Sequence, residues 1–125
     1  MKKLPKISES EWLIMQVLWS RGELTANEVV EELVGRTKWK PKTVKTLINR
    51  LLKKGAVKFQ KEGRKYRYYP AVSQAECVST ESRSFIQRVY GGAARPMLAA
   101  FLDDAELSVE DIAELKKILE QKGEE

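Results

Sequence analysis

The chain has no histidine and a single cysteine, Cys77, among its 125 residues. Lacking histidine, it can build no Ser-His-Asp triad, no Cys-His nucleophile pair and no His-bearing zinc site. No glycine-rich phosphate loop or paired acids in a plausible cleft stand in for these. An enzyme is therefore not expected, nor is a cofactor or a metal. One cysteine cannot close an internal disulfide, which excludes the small disulfide-stapled secreted class. No apolar run approaches the ~20 residues needed to cross a bilayer. The basic stretch from Met1 to Ile7 lacks the apolar core of a signal peptide. The expected location is the reducing cytoplasm. Hydrophobic residues make up 42% of the chain, close to the globular norm, so a wholly disordered chain is also excluded.

What is present is positive charge, unevenly spread. The net charge of +5 divides into +10 over residues 1–70 and −5 over residues 71–125. Between Arg36 and Arg67, 13 basic residues meet one acid, Glu62. A charge run of this kind is often only a solvated face. Here it lies on segments that also carry regular apolar faces. So many like charges in folded structure repel one another unless a polyanion is the partner, and nucleic acid is the obvious one.

Three helices open the chain. Ser8 with Glu11 has capping-box spacing, and Trp12, Met15 and Trp19, flanked by Ile14 and Leu18, predict a helix burying an aromatic stripe that ends at Gly22. Thr25 with Glu28 opens a short helix burying Val29, Val30 and Leu33 and closing at Gly35. The third begins at Pro41, a residue favoured at the first helical position, and stops at Gly55. At 100° per residue, Val44, Leu47, Ile48 and Leu51 cover about 140–240° of its circumference and form the core face. Lys42, Lys45, Thr46, Asn49, Arg50 and Lys53 occupy the opposite side. That outward stripe contains no acid.

After Gly55 the apolar period changes from helical to alternating. Val57 and Phe59 alternate with Lys58 and Gln60; Tyr66 and Tyr68 alternate with Arg67. The polar link Lys61-Glu62-Gly63-Arg64-Lys65 predicts a hairpin, ended by Pro70. Two helices joined by a short turn, the second bearing the basic face and followed by a hairpin, make a winged helix-turn-helix. The expected fold is mostly α with a small β-hairpin wing, comprising a winged-helix DNA-binding domain over residues 1–71 and a helical dimerisation module over 72–125. DNA contact is expected from Lys42, Thr43, Lys45, Thr46, Asn49, Arg50 and Lys53 on the third helix, and from Arg64 and Lys65 at the wing tip.

The acidic remainder predicts three more helices. One starts at the Ser73–Glu76 capping box, buries Phe85, Ile86, Val89 and Tyr90, and stops at Gly91-Gly92. A short one runs from about Pro96 to Leu102 with Met97, Leu98, Phe101 and Leu102. The last opens at Ser108–Asp111 and carries Ile112, Leu115, Ile118 and Leu119, with a frayed tail from Gly123 to Glu125. Short helices with single apolar faces bury too little within one chain to offset the ordering of 54 residues. A second copy is the natural source of the missing area. The pairing surface is expected at Phe85, Ile86, Val89, Leu98, Phe101, Leu102, Ile112, Leu115 and Leu119.

Other features have plainer readings. Trp12 and Trp19 are expected in the core rather than as a stacking platform for single strands, while Trp39 lies in the loop before Pro41. Tyr66, Tyr68 and Tyr69 are expected to pack the hairpin, one of them touching a phosphate. Cys77 reads as an inert helical thiol, and Asp103, Asp104 and Glu106 as capping or linker acids. The alternative function is a winged-helix protein of an RNA or structural assembly; RNA readers rely more on exposed aromatics, and the threonine-bearing stripe favours duplex DNA.

The segments Ile7-Ser8-Glu9-Ser10-Glu11-Trp12, Val17-Leu18-Trp19, Lys40-Pro41-Lys42-Thr43-Val44-Lys45-Thr46-Leu47 and Arg50-Leu51-Leu52-Lys53-Lys54-Gly55 resemble the penicillinase repressor family, which includes the methicillin-resistance regulator. Lys61-Glu62-Gly63-Arg64, Ser84-Phe85, Tyr90-Gly91-Gly92 and Leu107-Ser108 with the acidic helix after it match too. The resemblance implies a dimeric bacterial repressor on a palindromic operator upstream of β-lactamase or related genes. It also implies induction through a membrane sensor protease and cleavage in the C-terminal region. The family's scissile bond is Asn-Phe; the matching pair here, Ala100-Phe101, keeps the phenylalanine and lacks the asparagine. A copper-responsive branch carries a C-terminal cysteine cluster, which this chain, with Cys77 alone, does not resemble.

Overall fold

The computed structural model describes residues 4–124; the first three residues of the basic start, and Glu125 of the expected frayed tail, lie outside the described residues. Helix α1 (Glu9–Arg21) begins where Ser8 and Glu11 satisfy each other's backbone N–H groups, as the capping box predicts. Its buried face is Ile14, Met15, Val17 and Leu18. Trp12 and Trp19 flank that face half-buried, their rings 5.7 Å apart; Trp19 packs against the core as expected, whereas Trp12 is not part of it, and the stripe is centred on aliphatic side chains.

Strand β1 (Leu24–Thr25) follows, and Thr25 then caps α2 (Ala26–Leu33) in a second complete capping box. Val29 and Leu33 are buried and Val30 half-buried. The helix ends at Leu33; Gly35 lies in the turn beyond it, without the positive φ that would make it the closing residue. Helix α3 (Pro41–Lys54) places Val44, Leu47, Ile48 and Leu51 in the core, and Gly55 ends it at φ 80°, a left-handed conformation that favours glycine.

Strands β2 (Val57–Glu62) and β3 (Lys65–Pro70) form the hairpin, paired Phe59 to Tyr68 and Glu62 to Lys65. The strands run further than the alternation predicts, leaving only Gly63-Arg64 as the turn. Gly63, at φ 62°, supplies the positive φ that a two-residue hairpin turn requires at its first position. The sheet has a third member that the sequence reading missed. β1 pairs antiparallel with β3, Leu24 to Tyr68 and Thr25 to Arg67, giving the order β1-β3-β2. The helices and sheet enclose one core of Ile14, Met15, Leu18, Leu24, Val29, Leu33, Val44, Ile48, Leu51 and Val57, with Trp39 packed at its edge.

Helix α4 (Gln74–Tyr90) starts where Ser73 Oγ accepts from the Glu76 N–H at 3.2 Å, and it ends at Gly91 and Gly92. Helix α5 (Ala94–Asp104) begins before Pro96, and α6 (Val109–Gly123) opens with the predicted Ser108–Asp111 capping box. Because α6 runs through Gly123, the frayed tail does not begin there. The chain forms two compact units that divide between Thr80 and Glu81. In the second, Phe85 stacks on Phe101 and meets Tyr90 edge-on, with centroids 6.2 and 6.0 Å away. Val89, expected to be buried, is exposed, as are Leu98, Phe101 and Leu102.

Candidate nucleic-acid interface

Helix α3 is tethered by its apolar face, and that tether decides what faces outward. Lys42, Thr43, Lys45, Thr46, Asn49, Arg50 and Lys53 are all exposed. With no acid on that side, the surface offers ammonium, guanidinium, amide and hydroxyl groups. Lys42, Thr43, Thr46 and Arg50 line a shallow hollow of about 230 Å³ floored by Leu47. The Thr46 hydroxyl donates to the Lys42 carbonyl oxygen at 2.9 Å, fixing its rotamer while its lone pairs stay free to accept. Asn49 and Lys53 lie on the same exposed side and line neither this hollow nor the groove described next.

The wing completes a larger groove of about 510 Å³. One wall is Thr25, Asn27, Glu28 and Glu31 at the start of α2; Lys45 of α3 lines it too, and the hairpin contributes Arg64, Lys65, Tyr66, Arg67 and Tyr68. The structure thus brings Lys45, Arg64 and Lys65 to one groove. Arg67 belongs to the same basic run but is already engaged: its Nε donates to Glu62 Oε2 at 2.7 Å, and its guanidinium lies 3.9 Å from Glu28 Oε1. Hydrogen bonding to Glu62, then its charge, pushes the Arg67 pKa up. Hydrogen bonds from Thr25 hold the Glu28 carboxyl below its ordinary range, with the Arg67 charge adding to this. Arg67 is therefore already paired with acids of the wing and of α2, whereas Arg64 and Lys65 are exposed at the tip.

Sequence reasoning missed the start of α2 as part of this groove; the Thr25–Glu28 capping box located that helix end without placing it beside the wing. Tyr66 is the other revision. It packs edge-on against Phe59 at 5.0 Å, as hairpin packing predicts, but it is exposed and lines the groove. Tyr68 is half-buried, and burial, with Tyr66 nearby, pushes its hydroxyl pKa up. Tyr69 is also half-buried.

The residues expected to pair two copies divide into two groups. Phe85 and Ile86 are half-buried, Phe85 against Phe101 and Tyr90 of the same unit. Val89, Leu98, Phe101 and Leu102 are exposed, and on α6 the series Ile112, Leu115, Ile118 and Leu119 is 38 to 61% exposed. These four recur at helical spacing and form an uncovered apolar strip. Ala100 and Phe101 lie inside α5, both exposed. Cys77 is buried, and burial, with Glu76 beside it, pushes its thiol pKa up, away from the reactive thiolate. Among the described residues no cluster of Asp, Glu and Cys could hold a metal ion, and no helix is long and apolar enough to cross a membrane.

A family model described as penicillinase repressor matches residues 7–121. The penicillinase repressor of Bacillus licheniformis is 41% identical over 121 residues, 97% of this chain and 94% of that protein. The methicillin resistance regulatory protein MecI of Staphylococcus aureus is 35% identical over 120 residues, 96% of this chain and 98% of that one. Among solved structures, the monomeric form of Bacillus licheniformis BlaI in complex with the blaP half-operator is similar with a TM-score of 0.54. It is 42% identical, and the match covers 61% of this chain and 93% of that one.

Proposed function

The chain belongs to the penicillinase repressor family, and we propose that it is a non-enzymatic, cytoplasmic repressor that binds duplex operator DNA as a homodimer. The observation that carries this reading is the acid-free outward face of α3 beside a wing whose tip presents Arg64 and Lys65. α3 enters the major groove. Thr43 and Thr46 meet base edges and thymine methyls, while Lys42, Lys45, Asn49, Arg50 and Lys53 reach phosphates or bases. Arg64 and Lys65 hold the adjacent backbone.

Residues 1–71 perform this recognition and residues 72–125 pair two copies. Support for the pairing is the apolar strip of α6 with the exposed Val89, Leu98, Phe101 and Leu102, which one chain leaves in water. The half-operator complex of the relative BlaI agrees with one operator taking two protomers. Two recognition helices then lie about one DNA turn apart, ~34 Å, and occlude a promoter of β-lactamase or related genes. Cleavage at Ala100-Phe101 by a membrane sensor protease would remove α6 and its share of the pairing surface, releasing DNA without altering the winged helix.

Fluorescence anisotropy with duplex DNA and with structured RNA of equal length tests the reading. With six phosphates contacted per dimer, log K against log salt should fall with a slope of about −5 on DNA. Salt-insensitive affinity, or a preference for RNA, would contradict it.

A further inference from the structure

Three capping boxes in this chain use an acid at the same helical position, and only one of those acids is buried. Glu28 and Asp111 keep contact with solvent, whereas Glu11 is 1% exposed. Capping alone therefore does not require burial. Glu11 Oε1 accepts from the Ser8 N–H at 2.8 Å and from the ammonium of Lys54, while Oε2 is buried without a hydrogen-bond partner among the described residues. Lys54 is the last residue of α3, where a positive charge favours the helix dipole, and its ammonium also donates to the Lys6 carbonyl at 2.9 Å. The C-terminal end of α3 is thus bound to the entry of α1 by an ion pair across 43 residues. Burial costs a carboxylate several kcal/mol in solvation, and replacing both members of such a pair by well-packed apolar side chains is often neutral for stability.

The apolar face fixes which side chains of α3 point outward; the ion pair and its shared hydrogen bonds add a directional hold at the helix's last residue, which limits the remaining play about its axis. A rotation of about 20° moves outward side-chain ends by about 2 Å, enough to spoil base contacts. We propose that Glu11 and Lys54 are positioning residues for operator recognition: they limit the residual rotation of α3 in its packed seat and touch no DNA. The inference rests on the DNA-binding reading above and adds which side chains outside the interface determine its specificity.

The test uses a duplex that the full-length wild-type protein selects from a random-sequence pool, and a scrambled duplex of equal length. In Glu11→Leu/Lys54→Met, a thermal midpoint within about 5 °C of wild type is expected. The ratio of selected to scrambled affinity should fall by about tenfold, with the salt slope on scrambled DNA unchanged. Lys54→Arg should keep the ratio within about twofold of wild type. A folded double variant with the wild-type ratio overturns the proposal, as does a slope shallower by about one per protomer, which would make Lys54 a phosphate contact. If the double variant does not fold, Glu11→Gln is read instead: a threefold or larger fall, on the order of 0.6 kcal/mol, supports the proposal and an unchanged ratio overturns it. If the wild-type protein enriches no duplex, the DNA-binding reading itself fails and this inference with it.

Discussion

The indole Nε1–H of Trp19 donates to the carbonyl oxygen of Val72 at 3.0 Å, joining α1 to the segment that leaves the wing. The two residues are 53 positions apart, and the bond fixes where the chain turns from β3 toward α4. Trp19→Phe keeps an aromatic ring at the core edge and removes the donor. Urea unfolding should show a stability lower by about 1–2 kcal/mol, and the salt slope of DNA binding should not change.

Arg64 stands exposed at the wing tip, while Arg67 is held by Glu62 and Glu28. Arg64→Ala should therefore weaken binding to all duplex sequences alike and make the salt slope shallower by about one for each phosphate that the guanidinium no longer neutralises. Arg67→Ala, which removes a guanidinium already paired with Glu62 and Glu28, should leave the slope close to wild type. Anisotropy titrations across a series of salt concentrations distinguish the two.

The uncovered α6 strip predicts a second outcome for substitutions far from DNA. Leu115→Asp with Leu119→Asp puts charge where a partner copy would bury aliphatic groups. Sedimentation velocity should show protomers, and operator affinity should fall by about 10²-fold, because the second half-site contact is no longer intramolecular. Retained dimer mass would move the pairing surface away from α6.

Acid should undo the Glu11–Lys54 tie. Burial on its own would push the Glu11 carboxyl up, but hydrogen bonds from Lys54 and Ser8, with the Lys54 charge, bring it below its ordinary 4.5. A folded-state pKa below the unfolded one means the ionised form favours folding. Its contribution is complete above about pH 4.5 and disappears as pH falls through the lower folded value. Stability measured between about pH 3 and 7 should therefore drop less steeply in Glu11→Gln than in wild type.

Much of this was legible in the sequence because the signals are local. Three capping boxes, Pro41 and Gly55 mark helix ends within a few residues, and the acid-free face of α3 follows from periodicity alone. What escaped depends on distance. β1 is two residues long, too short for alternation, and exists because β3 arrives beside it. Glu11 reads as a cap, and nothing near it announces a lysine 43 positions on. The size of Trp12 and Trp19 points to them as core, yet the aliphatic residues between them sit nearer its centre. The start of α2 joins the wing groove only once the sheet brings Thr25 opposite Arg67.

Two copies paired through the acidic C-terminal part should place two α3 helices on one duplex. Sedimentation velocity of the full-length protein at micromolar concentration, alone and with a palindromic duplex selected by it, measures this directly. A dimer alone and two protomers per duplex are expected. A lone protomer in both samples, or a duplex that sediments unchanged, would contradict it.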